Sequence, residues 1–583
     1  MPGSIPSCKN PAAAIGLALA VTATALSALG CGGTDSTPRP DIVLIMADDM
    51  GFSDLGSYGG EIDTPNLDRL ASNGLRFSHF YNTARCCPTR ASLLTGLYAH
   101  QAGIGHMMGD DGLPGYRGDL AANAITIAEA LGAAGYGTYM SGKWHVTRQV
   151  GHWSGNDELT STHNWPRQRG FDRFYGTIHG AGSFYDPVSL TEGNTPVELE
   201  PPGDAEAPVY YYTDAISEHA ARFVRDHAAG DRSDDPLFLY VAHTAPHWPL
   251  HALPEDIARY RGRYAAGWDA IRERRQERLT ELGLIDKDWL LAERDSRVPA
   301  WEDVPAEERP WFERAMEVYA AQIDRMDQGI GEVVAALEET GRLDNTLILF
   351  LADNGGCAEV LTDRWTGLHL PKQALDGSPV AVGNDTSVLP GPESSYQSYG
   401  PHWAHVSNTP FRLYKHWVHE GGIASPLIVH WPARIVEGGG IAGETAHVVD
   451  LMATALDAAG AEQPSSRSGQ DSIPVEGTSL LPAFHRQPLD REAVFWEHEG
   501  NRAVRSGKWK LVSRHPGPWE LYDLVADRTE AHDLAAEMPE RVDELAGLWR
   551  DWAARTGVVP WAELTEQRRA SREANRASRR PPA

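Results

Sequence analysis

The sequence predicts an α/β fold, a large mostly parallel sheet flanked by helices, with a smaller C-terminal antiparallel sheet plus helix. Three observations lead there. From Asp41 onward short apolar runs alternate with helical periodicity, the rhythm of a mostly parallel sheet. Several of those runs end in polar, chemically competent residues. After about Pro488 the pattern changes to short strands separated by turn signals.

The first strand is expected over Ile42 to Met46, running into Ala47-Asp48-Asp49. Thr64-Pro65 then opens a helix, with Thr64 as N-cap, proline at the first helical position and Asp68 in the first turn. Ser92 to Leu94 falls near a helix start. A second unit places a helix over Ile125 to Leu131 and a strand over Tyr136 to Met140, leading into Ser-Gly-Lys-Trp-His. A third has the strand Leu237 to Val241 before His-Thr-Ala-Pro-His. The longest helical signal runs from Phe312 to Leu337, with Met316, Tyr319, Ile323, Met326, Ile330 and Val333 at three- and four-residue steps. Thr346 to Leu351 then reads as a strand ending in Asp353-Asn354-Gly355-Gly356. In open α/β sheets ligands sit beyond the carboxyl ends of the strands, so these endings are expected to converge.

Two stretches break the rhythm. His251 to Pro310 is charged and reads as solvated helices without a catalytic role. Cys357 to Asn408, rich in Gly, Pro and Ser, is the candidate wall of a substrate pocket. In the C-terminal part, strands are expected at Ala493 to Trp496, Trp509 to Val512 and Trp519 to Tyr522. A helix follows with Val542, Leu545, Leu548, Trp549 and Trp552 on one face. The expected organisation is residues 1–31 as an export signal, 32–40 as a tether, 41–487 as a catalytic domain, 488–563 as an α+β subdomain and 564–583 as a disordered basic tail.

The chain has 583 residues, 42% of them hydrophobic, enough for a large core. Its formal net charge of −28 argues against broad attraction to nucleic acid. An anionic substrate must then be held by a local cluster of cations. The apolar run from Pro11 to Gly30 after Lys9 marks an exported protein, periplasmic or at the cell surface. Ala28-Leu29-Gly30-Cys31 resembles a bacterial lipobox, so acylation at Cys31 is the expected membrane tether and a plainly cleaved signal the alternative. Beyond Cys8 and Cys31 only Cys86, Cys87 and Cys357 remain, which excludes a disulfide framework and leaves a Cys87–Cys357 bond open.

Asp48, Asp49, Asp353 and Asn354 are hard oxygen donors at two strand ends, suited to Ca²⁺ or Mg²⁺ over Zn²⁺. The plain alternative is that acidic residues here cap helices. Cys86-Cys87-Pro88-Thr89-Arg90, followed by Ala91-Ser92-Leu93-Leu94-Thr95-Gly96, decides between them. It resembles the signature of the formylglycine-dependent type I sulfatases of the alkaline phosphatase superfamily, bacterial arylsulfatases above all. Asp48-Asp49-Met50-Gly51, Gly142-Lys143-Trp144-His145, Ala245-Pro246-His247-Trp248-Pro249-Leu250, Asp353-Asn354-Gly355, Tyr414-Lys415 and Glu420-Gly421-Gly422 occur in that family's order.

The resemblance implies that Cys86 is oxidised to formylglycine by a formylglycine-generating enzyme. It implies that Ca²⁺, or less readily Mg²⁺, is held by Asp48, Asp49, residue 86, Asp353 and Asn354. A hydroxyl of the hydrated aldehyde would attack sulfur to give a covalent sulfo-enzyme intermediate. Arg90 and Lys143 would hold the hydrate, His145 would take the second hydroxyl's proton, and His247 and Lys415 would bind the sulfate and protonate the leaving group. His243 fits the sulfate position less well and is expected to support the site from behind. The implied substrate is a small-molecule or glycan sulfate ester. A phosphonate or phosphodiester hydrolase and a catalytically dead glycan-binding lipoprotein are the competing readings.

Overall fold

The computed structural model describes residues 38–200 and 209–578. The export signal, Cys31 and most of the tether lie outside the described residues. The elements of the larger domain are β1 (Asp41–Ala47), α1 (Pro65–Ser72), β2 (Leu75–Tyr81), α2 (Cys86–Thr95), α3 (Ile127–Ala133), β3 (Gly137–Gly142), β4 (Arg173–Thr177), β5 (Leu190–Glu192), β6 (Thr195–Pro196) and α4 (Tyr212–Ala229). They continue with β7 (Leu237–Ala242), α5 (Pro254–Tyr260), α6 (Gly267–Glu281), α7 (Arg309–Glu339), β8 (Thr346–Ala352), β9 (Ala381–Val382), β10 (Ser395–Tyr396), α8 (Gly400–Ser407), α9 (Glu420–Ile423), β11 (Ala424–His430), β12 (Gly440–Ala442), β13 (Ala446–His447) and α10 (Asp450–Ala459).

One large sheet runs β12-β2-β11-β8-β1-β7-β3-β4-β5-β6, with β13 beside β2. Its centre, β8-β1-β7-β3, is parallel, while β11 runs antiparallel to both β8 and β2. Both faces are covered, which explains the unbroken apolar strands. Val43 and Ile45 of β1 pack in one core with α4 and α7, and Ile42, Leu44 and Met46 face a second core with α2, α3 and α10. The central strands end in register, with Ala47 opposite Ala352, Met46 opposite Ala242 and Ala242 opposite Gly142. The residues after each strand therefore emerge side by side.

After the hairpin β14 (Ser466–Arg467) and β15 (Gln470–Asp471) and the short α11 (Leu481–Phe484), the chain forms the antiparallel meander β16 (Val494–His498), β17 (Asn501–Ser506), β18 (Trp509–Ser513) and β19 (Glu520–Asp523). β17 is a strand that the sequence reading did not include. Leu545 and Ala546 of α12 (Pro539–Thr556) pack on Val504, Leu511 and Leu521 of this sheet. A buried ionic cluster joins it to the larger domain. Lys510 Nζ lies 2.8 Å from both Glu420 and Glu530, and Arg528 Nε donates to Glu420 at 2.8 Å. Tyr81 Oη donates to the same Glu420 at 2.9 Å.

Several local expectations are corrected. Thr64 precedes α1 but makes no cap bond to it; its hydroxyl accepts from Gly56 N–H at 3.0 Å and donates to Asp68. The three cysteines of the body are free thiols, so Cys87 and Cys357 are unpaired. The basic tail forms the helix α13 (Trp561–Ser578), and Arg568 forks onto Asp111 at 2.6 and 2.8 Å. Among the described residues no helix is long and apolar enough to cross a membrane.

The charged stretch 251–310 is also more than a solvated surface. Trp268, Ile271 and Leu279 of α6 are buried, and so is Arg275, which reaches Asp54 at 2.7 Å and holds Glu61 through two bonds of 2.8 Å. Asp54 also accepts from Gly51 N–H and Tyr319 Oη, each at 2.8 Å, so α6 fixes the loop that follows β1. Removing one partner of a buried pair strands the other charge. Arg275→Ala is expected to lower stability by about 3–5 kcal/mol, read by denaturant unfolding; a loss below about 1 kcal/mol, the scale of exposed pairs, would contradict this role.

Candidate active site

Beyond the carboxyl ends of β8, β1, β7 and β3 the expected residues meet. Asp49 adopts a left-handed backbone (φ 64°), which aims its N–H at Asp353 Oδ1, 3.1 Å away. A side chain at Gly51 would sit 2.2 Å from the Ser407 carbonyl, and one at Gly355 would sit 1.9 Å from the Gly421 carbonyl. These two glycines let the loops after β1 and β8 lie against their neighbours.

Asp48 accepts from Lys143 Nζ at 2.5 Å, and Arg90 Nη2 lies 2.8 Å from Asp353 and 3.6 Å from Asp48. Arg90 Nη1 donates to the Lys143 carbonyl at 3.1 Å. On the other side, Lys415 Nζ reaches both oxygens of Asp49 at 2.8 Å and lies 3.3 Å from His247 Nε2. Asn354 Nδ2 donates to Asp49 at 2.7 Å. Three carboxylates are thus matched by three fixed cations, in surroundings where an unbalanced charge is expensive.

Cys86 opens α2, and its thiol groups with those of Cys87 and with a ring nitrogen of His145; Asp48, Asp49 and His247 form a separate group. The two histidines therefore serve opposite sides of the site. Exposure grades in the same sense. Asp48, Arg90, Lys143, Asp353 and Asn354 have none, while Cys86, Lys415, His247 and His145 keep 3%, 5%, 5% and 7%. The carboxylates and the amide form the floor, and Cys86, Lys415 and the two histidines form the opening.

Electrostatics follow the same layout. A hydrogen bond from Cys87 holds the Cys86 thiol well below its usual range against the cost of burial, helped by Lys143, His145 and Lys415. Burial raises Asp48, and burial together with Asp48's charge raises Asp353 further. Asp49 is driven up by burial, but His247 and Lys415 outweigh it and the carboxyl ends below its ordinary value. Burial lowers His145 to about 3 and His247 to about 4, so both rings are neutral near pH 7.

The donor set fits a divalent cation. Asp48 Oδ1 and Asn354 Oδ1 are buried oxygens without hydrogen-bond partners, one at each of the two strand ends. Buried acceptors left unpaired are costly, and a hard cation satisfies them at once. With such an ion added, the balanced site gains two positive charges, the sign an anionic ester needs.

Further residues shape the mouth. The rings of His145, His179, His369 and Trp248 follow one another at 6.3, 5.5 and 5.6 Å, and Trp248 lies 4.4 Å from His247 and 5.6 Å from Trp365. His369 and Trp365 come from the 357–408 segment. Glu359 ties this rim to α2, accepting from Trp248 Nε1 at 2.9 Å and from Arg85 at 3.0 Å. Isolated Trp and His residues in a loop gave no periodic signal by which the sequence would reveal them. His243 is buried and neither ring nitrogen has a partner among the described residues, so it makes no hydrogen bond to the site.

A parallel sheet with a cage of oxygen donors and fixed cations at its strand ends defines a hydrolase of anionic esters. The sulfatase family model matches residues 40–461, and a model described as N-sulphoglucosamine sulphohydrolase, C-terminal, matches 411–546. An uncharacterized sulfatase of Schizosaccharomyces pombe is 34% identical over 547 residues, 89% of this chain and 94% of that one. An arylsulfatase of Klebsiella aerogenes is 34% identical over 484 residues, 80% of this chain and 97% of the relative. A structure solved in complex with its substrate D-glucosamine-2-N,6-O-disulfate shares the fold, with a TM-score of 0.57 at 23% identity over 90% of this chain and 99% of that one. The chain belongs to the sulfatase family, and its activity is that of a sulfuric ester hydrolase.

Proposed function

We propose that the protein is an arylsulfatase-type enzyme that hydrolyses ring-bearing sulfate monoesters through formylglycine derived from Cys86, with Ca²⁺ in the oxygen cage. The observation that carries this reading is that the Cys86 thiol groups with His145 and acts electrostatically on Asp48, Asp49 and Asp353, while Asp48 Oδ1 and Asn354 Oδ1 are buried and unpartnered. The 34% identity to an arylsulfatase supports the aryl preference. The arc of rings at the mouth suits a phenyl or a sugar ring.

When bound, the divalent ion supplies positive charge that favours an ionised nucleophile and offsets the sulfate's charge. Oxidised and hydrated, residue 86 supplies two hydroxyls on one carbon, the first to attack sulfur and the second to re-form the carbonyl and release sulfate. The chain's own groups do the remainder. Arg90 and Lys143 hold the carboxylates and the hydrate in place. His145, neutral and beside residue 86, takes the proton of the second hydroxyl. Lys415 and His247 bind the sulfate oxygens from the opposite side. A bound anion there favours protonated His247, which can then give its proton to the departing oxygen.

In the cell the same reading makes the enzyme an exported one, anchored by a lipid on Cys31, with a formylglycine-generating enzyme acting during maturation. Mass spectrometry of the protein isolated from its host tests both points. The peptide across Cys86 is expected to be about 18 Da lighter than its thiol form, by the atomic balance of thiol to aldehyde, and the mature chain is expected to begin at acylated Cys31. An unaltered thiol at residue 86 in active enzyme would overturn the mechanism. A free, unacylated N-terminus would overturn the anchor alone.

A further inference from the structure

A third group of metal-ligating side chains surrounds the turn between β16 and β17, and shares no residue with the oxygen cage. His498 and Asn501 pair across that turn, and Glu499 and Gly500 form it with φ of 53° and 82°. Two-residue turns with positive φ at both positions favour Asn, Asp or Gly at the first. A glutamate there is a strained choice, and strain of this kind concentrates where a side chain has a task. His416 is likewise left-handed, at φ 88°, with its N–H bonded to the Ala84 carbonyl at 2.7 Å.

His416, His498 and Glu499 each offer one ligand atom, and the three atoms lie within 4.8 Å of one another. Glu499 Oε2 is 3.1 Å from His416 Nδ1, and Oε1 is 3.9 Å from His498 Nε2. The His498 side chain is fully buried, and neither of its ring nitrogens has a hydrogen-bond partner. Two unpaired polar atoms on one buried ring carry a desolvation cost that a bound cation would offset. Burial also keeps His416 and His498 neutral, the form that ligates.

His106 completes the arrangement in another way. Arg568 Nη2 approaches its Nδ1 at 2.9 Å, so that nitrogen accepts and Nε2 keeps the proton it gives to Glu499 Oε1 at 2.7 Å. The ring thereby orients the carboxylate.

We propose that His416, His498 and Glu499 form a second metal site, for Zn²⁺ or a similarly borderline divalent ion. Two imidazoles and one carboxylate with a position open to water are a zinc donor set, unlike the all-oxygen cage. The ion would tie the turn of the C-terminal sheet to the residue next to Lys415, and so to the loop that binds the sulfate. None of this depends on the chemistry at Cys86.

The test is a calorimetric Zn²⁺ titration of the full-length protein already saturated with Ca²⁺, repeated with Co²⁺ to read nitrogen ligation from its visible absorption. One further equivalent of Zn²⁺ is expected. Its affinity should fall at least tenfold in Glu499→Gln and His498→Gln, and about 10–100-fold in His106→Ala. Glu499→Gln keeps the shape of the turn, so the inference remains testable if His498→Gln fails to fold. Absence of Zn²⁺ binding in the parent protein would overturn the site. So would binding that persists unchanged in Glu499→Gln, or that is lost in Cys87→Ser instead.

Discussion

Cys86→Ala is expected to fold as the parent does and to lose turnover by about 10⁵–10⁶-fold, the scale on which removal of a covalent nucleophile acts. The fold should survive because the side chain is small and opens a helix whose other nine residues are buried without it. What remains should be the binding and electrostatic contribution of Lys143, Lys415 and the cage. Cys86→Ser separates the two halves of the proposed chemistry. One hydroxyl can attack sulfur but cannot re-form a carbonyl, so a single stoichiometric burst of alcohol followed by arrest is expected. Circular dichroism and steady-state turnover of a chromogenic aryl sulfate check the first variant, and rapid-mixing kinetics the second. Steady turnover by either variant would exclude the aldehyde mechanism.

Asp49→Asn is the second large effect. Its carboxylate takes both contacts of Lys415 and the amide of Asn354, and it lies 3.4 Å from His247 Nε2. The substitution keeps the shape and deletes one charge, leaving three cations against two carboxylates. Ca²⁺ affinity should fall, because the cage loses a charged oxygen and its net charge turns positive. Turnover should drop by about 10²–10³-fold even at saturating Ca²⁺, as when a fixed electrostatic contact is removed, since Lys415 and His247 lose the group that positions them. Calorimetric Ca²⁺ titration beside turnover at saturating Ca²⁺ reads both effects. Parent-like values for both would show that Asp49 neither binds the ion nor orients the sulfate-binding pair.

The central strands were legible because each is buried on both faces and so reads as an unbroken apolar run, and their polar ends pointed to one site. The motif around Cys86 pointed to the sulfatase family, to which the chain belongs. Which acidic residue meets which cation was not legible, since Lys143 and Asp48 are separated by 95 positions and Lys415 and Asp49 by 366. Arg275 was misjudged with its segment. Seen alone, a run of Arg and Glu looks solvated, and only the distant Asp54 and Glu61 make burying that guanidinium tolerable. The tail failed similarly, because its helix carries arginines whose one strong partner, Asp111, lies 457 positions away. The rim of Trp248, Trp365 and His369 was unreadable for a third reason: loops carry no period.

The ionic knot around Glu420 has a consequence for the order of events during synthesis. Glu420 lies five positions after Lys415, and its countercharges, Lys510 and Arg528, follow it by 90 and 108 positions. Until they arrive, the Glu420 carboxylate has the Tyr81 hydroxyl but neither of these countercharges. The C-terminal strands thus act as a latch that chain growth itself closes, and a protein cut short before residue 510 would lack both of these countercharges of Glu420.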